Sequence, residues 1–271
     1  MRLFRFAVFL FILFLGTSET LKASKTPIPQ GTDKLTYNSD GHFWTVYLVG
    51  VLLNMPEARE LALYAENPDH IMDTLGNITR GTYTWLDITK QGKYHALTGK
   101  NPQQERERSR KMYMDGKDVK QRGRALHRLG DSYAHARPDE SKMYPRGFGH
   151  AFTPEGGHEP DMIRNYPDKY LEYVNDLIRL LSGGKAEKVD MSAFIYVATK
   201  KLETADNIEI LKSAVYLQLK APYYDIQQCS GLKVYEFLET RKEWQRFSFS
   251  MEDVNPRDKK NRLTRVTIQY N

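Results

Sequence analysis

A mainly α-helical, multi-helix bundle with a small C-terminal β-hairpin appendage is the fold class this chain predicts, and three patterns carry it. His42 to Leu53 is apolar nearly all round, as a helix buried on every side would be. Between Pro167 and Leu181, Tyr170, Leu171, Tyr173, Val174, Leu177, Ile178, Leu180 and Leu181 recur at helical spacing, and Ser182-Gly183-Gly184 ends the run. Phe247–Met251 and Leu263–Tyr270 instead alternate apolar and polar residues, the period of strands, with Asn255-Pro256-Arg257-Asp258 as a turn between them.

Taken in order, the chain opens with Arg2 and Arg5, an apolar run from Phe6 to Leu15, and the small residues Gly16, Thr17 and Ser18. This is the layout of a secretory signal peptide, residues 1–23, with cleavage after Ser18 or Ala23. An uncleaved anchor is the alternative, but the run is shorter than the ~20 apolar residues a spanning helix needs. The expected location is therefore secreted or periplasmic. About 250 residues remain, read as a metal-binding helical core (24–180) followed by C-terminal helices and the hairpin (181–271). The single cysteine, Cys229, excludes an internal disulfide. Rigidity must then come from a large core or from bound metal. The net charge of +6 favours anionic partners such as phosphate esters, lipid head groups or nucleic acid.

Residues 24–40 read as an irregular lead-in, after which Asp40 could cap the first helix, with His42 in its first turn. A second helix is expected from Pro56 to Asn67, ended by Pro68, which cannot extend it. Asp69 would then open a further helix, where it either meets the helix dipole or ligates a metal. Residues 76–100 carry Gly76, Gly81, Gly92 and Gly99 and read as a loop with partial structure; Asn77-Ile78-Thr79 is formally a glycosylation acceptor. Ten Lys and Arg against four Asp and Glu populate 100–128. They form either a solvated helix face or a rim attracting phosphate.

The chemistry centres on Leu126–His135. On a helix, His127, Asp131 and His135 at i, i+4 and i+8 fan along one face about 6 Å apart. Such spacing offers two ligands to one ion, and the two oxygens of the middle carboxylate could join neighbouring ions. Two metals ~3.5–4 Å apart suit displacement at phosphorus. A helix face with two hydrogen-bonded histidines and an ion-paired aspartate is the plainer alternative. All seven histidines fall between positions 42 and 158 (42, 70, 95, 127, 135, 150 and 158), the clustering that a polynuclear site requires. The Pro- and Gly-rich stretch Arg137–Tyr166 reads as a long loop, which in a compact domain is functional or disordered. Each of its histidines, His150 and His158, follows a glycine, and both are candidate ligands. Beyond Leu181, helices are expected over Met191–Glu203, capped by Asp190, and from Asp206 or Asn207 to about Lys220.

Gly41-His42-Phe43, Asn67-Pro68-Asp69, Leu126-His127-Arg128-Leu129-Gly130-Asp131 with His135, Gly149-His150 and Gly157-His158-Glu159-Pro160-Asp161 together resemble the zinc-dependent phospholipase C family and its single-strand nuclease relatives. The resemblance is closer still to uncharacterised bacterial proteins of that architecture, and it covers about 40–180. It implies a phospholipase C-like helical bundle and zinc held by His42, Asp69, His127, Asp131, His135, His158 and Asp161, with Asp131 bridging two ions. His135 follows its Asp more closely than in the classical enzymes, and His158 and Asp161 stand three apart instead of four. Those enzymes also use a Trp at the mature N-terminus as a ligand. Neither Glu19 nor Ser24, the residues that cleavage would expose, is a Trp, so two or three zinc ions are expected.

The expected function is a secreted, metal-dependent phosphodiesterase that hydrolyses phosphate esters with metal-activated water. Asp69, in preference to Glu66, would accept the proton from that water, and Asp131 would bridge the ions. The substrate is a phospholipid if Tyr144, Phe148 and Phe152 touch a membrane. Two alternatives stay open: a single-strand nuclease, with nucleic acid as partner, and a non-catalytic binding protein that the metal stabilises.

Overall fold

The computed structural model of the chain describes residues 39–75, 88–147, 159–185, 188–220, 223–228, 231–240, 247–253 and 264–270. The leader, the acceptor Asn77, Phe148, His150, Phe152 and His158 lie outside these. All the described residues belong to one unit, Asp33–Asn271. The described residues are mainly helical: α1 (Thr45–Leu52), α2 (Ala58–Leu75), α3 (Ile88–Tyr94), α4 (Pro102–Met114), α5 (Val119–Ala134), α6 (Pro167–Leu181), α7 (Ser192–Lys200), α8 (Thr204–Gln218) and α9 (Gly231–Glu239). Three segments run as strands, β1 (Tyr223–Gln228), β2 (Phe247–Asp253) and β3 (Thr264–Tyr270). β3 pairs antiparallel with both of the others, in the order β1–β3–β2. The expected hairpin segments fall on β2 and β3, and the residues joining them are outside the described ones. None of the described helices is long and apolar enough to cross a membrane.

Helix α5 organises the bundle. Asp118 caps it by accepting Gln121 N–H at 2.7 Å, and every residue from Ala125 to Ala134 is buried. A helix enclosed on all sides would ordinarily be apolar. This one carries His127, Arg128, Asp131 and Ser132, so each polar group must find a partner inside the protein. Arg128 makes the largest of these arrangements. Its guanidinium donates to the Glu105 carboxylate, to the Glu105 carbonyl at 3.1 Å and to Ser109 Oγ at 2.7 Å. That tie fastens α5 to α4, which begins at an Asn101 cap accepting Gln104 N–H.

On its other side α5 lies against α2 at very short range. A Cβ on Gly123 would stand 2.4 Å from Tyr64 Cβ and 2.8 Å from the Leu61 carbonyl oxygen, so only glycine permits this approach. Contrary to expectation, α2 does not end at Asn67 but runs on through Pro68. Proline removes one N–H and loosens the ladder one turn upstream. Just before the proline α5 grips this helix, Arg124 donating to the Asn67 side chain and His127 to the Ala65 carbonyl.

The first apolar helix begins one turn early as a π-helical turn, Asp40–Trp44, closed by Trp44 N–H to the Ser39 carbonyl at 2.8 Å. Asp40 sits inside this turn. It accepts Gly41 N–H and, at 2.9 Å, the Asn207 side chain from α8. Burial raises its carboxyl to about 7, against those two hydrogen bonds. The C-terminal helices are thereby tied to the start of the core. Phe194, Ile210, Leu211, Val234 and Phe237 of α7–α9 share one apolar core with Leu48, Leu61, Leu126, Leu129 and Leu177.

Gly123→Ala is expected to lower stability by about 1–3 kcal/mol through overpacking, despite the better helix propensity of alanine, as read from urea denaturation. Arg128→Leu leaves Glu105 buried without a counter-charge. By the same measurement it is expected to cost about 3–5 kcal/mol.

Candidate metal centre

Five side chains from four elements converge beside the middle of α5. The π-helical turn supplies His42, α2 supplies Asp69, and the residue just past α3 is His95. Helix α5 supplies His127 and Asp131. All five are buried, His127 and Asp131 to 0% and 1% exposure. His127 Nε2 lies 3.1 Å from Asp131 Oδ2, 3.1 Å from His95 Nδ1 and 3.6 Å from Asp69 Oδ1. His95 Nδ1 lies 2.9 Å from Asp131 Oδ2 and 3.7 Å from Asp69 Oδ1. Two nitrogens thus each face two carboxylates at 2.9–3.7 Å. Ligands about 2.0–2.1 Å from a tetrahedral zinc ion stand roughly 3.3 Å apart, so the spacing could accommodate a shared cation.

His42 approaches Asp131 from the opposite flank. Its Nε2 is 3.2 Å from Oδ1 and 4.0 Å from Asp69 Oδ2, and its ring stacks on His127 with centroids 4.0 Å apart. The glycine at 130 makes room for this ring: a Cβ there would lie 3.1 Å from His42 Cε1. The two oxygens of Asp131 therefore face different imidazoles, Oδ1 that of His42 and Oδ2 those of His95 and His127.

The tautomers are legible from their partners. His127 Nδ1 donates to the Ala65 carbonyl at 2.7 Å, in the turn of α2 that Pro68 loosens, so the lone pair of Nε2 points at the two carboxylates. Lone pair facing oxygen is repulsive unless a proton or a cation intervenes. Burial lowers the pKa of His127, and the neighbouring His42 adds to the shift against the pull of Asp131; burial likewise lowers that of His95. Protonation is thus disfavoured at both. His95 Nε2 is buried with no hydrogen-bond partner. For Asp131, burial alone would raise the carboxyl. The neighbouring imidazoles of His127, His135 and His42 bring it well below the ordinary range instead.

His135 lies just past the end of α5, where it donates from Nδ1 to the His95 carbonyl at 2.8 Å. Its Nε2 turns away from Asp131 to Asp161 Oδ1, 3.0 Å off on a 3-10 turn, Glu159–Asp161. Burial acts against its protonation, but Asp131 and Asp161 outweigh burial and raise it to about 9. Asp131 Oδ2 lies 3.9 Å from the other ring nitrogen, so two buried carboxylates, Asp131 and Asp161, flank this imidazole.

These buried His and Asp groups could hold a metal ion in two combinations, His42–Asp69–His127 and His95–His127–Asp131. His127 has one lone pair left and serves one ion, with either group but not both. Among the sequence-derived candidates, His42, Asp69, His127 and Asp131 meet here; His135 and Asp161 form an adjoining pair, and His150 and His158 lie outside the described residues. His95 was not among the sequence-derived ligands. It falls in a glycine-rich stretch without helical spacing, and only the clustering of the seven histidines pointed to it.

Four of the ten basic residues of 100–128 pair with carboxylates elsewhere in the bundle. Arg106 pairs with Glu140, Arg110 with Asp176, Arg122 with Glu57, and Arg128 with Glu105. Tyr144, expected at a membrane-facing loop, is instead buried at 1% exposure. Its backbone N–H is bound to the His135 carbonyl, which holds the segment against the end of α5. A groove of about 430 Å³, lined by residues including Arg110, Met114, Asp176 and Leu180, lies between α4 and α6 and includes none of the cluster residues.

No known protein family, characterised protein or solved structure matches this chain.

With His95 as a ligand of an ion held by this cluster, His95→Ala is expected to weaken binding of that ion by more than the 10–100-fold that loss of a ligand's hydrogen-bonding partner costs, measured with zinc by competition with a chromogenic chelator.

Proposed function

We propose that the chain is a metal-dependent phosphodiesterase of the phospholipase C-like kind, with zinc held by His42, Asp69, His95, His127 and Asp131. The observation that carries this reading is the Asp131 carboxylate, whose two oxygens face imidazoles on opposite flanks, 3.2 Å from His42 and 2.9–3.1 Å from His95 and His127. A carboxylate so placed suits ions held side by side. The nitrogen and oxygen donor set suits zinc. The fold that goes with this reading is the phospholipase C-like helical bundle with a C-terminal β-hairpin.

A divalent ion at such a site supplies Lewis acidity toward a phosphoryl oxygen and acidifies water toward neutral pH. The chain's own groups do the rest. His127 and His135 are oriented by the Ala65 and His95 carbonyls, so their Nε2 atoms point to fixed positions. Asp69, whose oxygens stand 3.6–4.0 Å from the His127, His95 and His42 nitrogens, is the carboxylate that can take up a proton beside the reacting centre. Protein packed around the cluster keeps bulk water off these groups and strengthens every charge interaction among them.

One observation favours a second reading: the cluster side chains are all buried, which suits a non-catalytic, metal-stabilised binding protein.

The test is metal analysis of the purified chain and of Asp131→Asn, with both assayed on phosphatidylcholine vesicles and on single-stranded DNA. Bound zinc with lipid hydrolysis, both lost in Asp131→Asn, is the expected result. Cleavage of DNA alone would replace lipid by nucleic acid as substrate. Zinc retained without turnover, with unfolding on chelation, would establish the second reading, and a zinc-free, inactive wild type would sink both.

A further inference from the structure

Tyr173 on α6 is fully buried, and its hydroxyl has no hydrogen-bond partner. The tyrosines around it are satisfied. Tyr170 shares a hydrogen bond of 2.9 Å with Thr45 Oγ1, and Tyr133 donates to Asp176 Oδ2 at 3.0 Å. An unpaired buried hydroxyl is a cost to folding that phenylalanine would avoid at the same shape. The hydroxyl is therefore open to a donor from a neighbouring side chain.

The position of the phenol says which group that is. A point one Cβ above Gly130 lies 3.2 Å from Tyr173 Cζ, the atom that bears the hydroxyl. The same point lies 3.1 Å from His42 Cε1 and 3.3 Å from His42 Nδ1. The hydroxyl-bearing carbon of Tyr173 and Nδ1 of His42 thus flank the same glycine.

We propose that Tyr173 is a positioning residue of the metal centre, its phenolic oxygen accepting the Nδ1–H of His42 when Nε2 of that ring faces a bound cation. A neutral imidazole carries one N–H. Once the Nε2 lone pair is given to a cation, the hydrogen must sit on Nδ1, and a ligating histidine needs an acceptor there to hold its ring. His127 and His135 meet the same need with the carbonyls of Ala65 and His95. Tyr173 meets it for His42, from a third helix. The inference rests on the metal reading of the cluster.

The experiment is zinc titration of the full chain against a competing chelator, for wild type, Tyr173→Phe and Tyr170→Phe, with thermal unfolding of each in excess EDTA. In Tyr173→Phe the expected result is a metal-free melting temperature at or above that of wild type, with zinc affinity about 10–100-fold weaker. Tyr170→Phe, which loses its bond to Thr45, is expected to melt lower without metal and to bind zinc as wild type does. Unchanged zinc affinity in Tyr173→Phe would overturn the proposal. So would an equal affinity loss in Tyr170→Phe, which would mark a general effect of α6 packing. A wild type that binds no zinc would remove the metal reading itself, a failure separate from these.

Discussion

A carboxylate enclosed in protein, with almost no water to solvate it, is the constraint on which the rest of this structure turns. Asp131 stands at 1% exposure in the last turns of a helix that is itself buried. Burying a charge is tolerable only with compensation close by. The compensation comes from His127 on the same helix and from His42 and His95, which arrive from two other parts of the chain. Burial discourages protonation of His95 and His127, and their nitrogens and the carboxylates are grouped closely enough that they could hold a cation.

Much of the surrounding architecture can be understood as what that arrangement demands. His42 reaches Asp131 from a π-helical turn, a geometry that recurs at functional sites. Glycines at 123 and 130 let α2 and the His42 ring approach α5 more closely than any side chain would allow. Arg128, one residue from His127, points away from the cluster into the carboxylate of Glu105. Its positive charge is thus spent on anchoring α4, which keeps the two polar arrangements of α5 on separate sides.

The part of this centre legible in the sequence was the part encoded locally. His127 and Asp131 are four residues apart on one helix, so their shared face follows from helix geometry alone. Helix α6 was equally plain, because its apolar stripe is unbroken from Tyr170 to Leu181. The caps Asn101 and Asp118, which open α4 and α5, were present as signals but were masked by the basic run around them. Helix α9 and strand β1 carry short apolar patterns that single-sequence periodicity does not resolve.

What the sequence by itself determined, then, is a mainly helical chain with imidazoles and carboxylates at helical spacing, since propensity and periodicity act over a few neighbouring residues. Tertiary structure decided which distant groups complete the cluster. It placed His42 on the free flank of Asp131, brought in His95 from a stretch without pattern, and turned His135 toward Asp161. It also carried α2 through Pro68 and paired Arg106, Arg110 and Arg128 with carboxylates. Each of these depends on packing between segments tens of residues apart, where burial and charge balance override the local preferences of the chain.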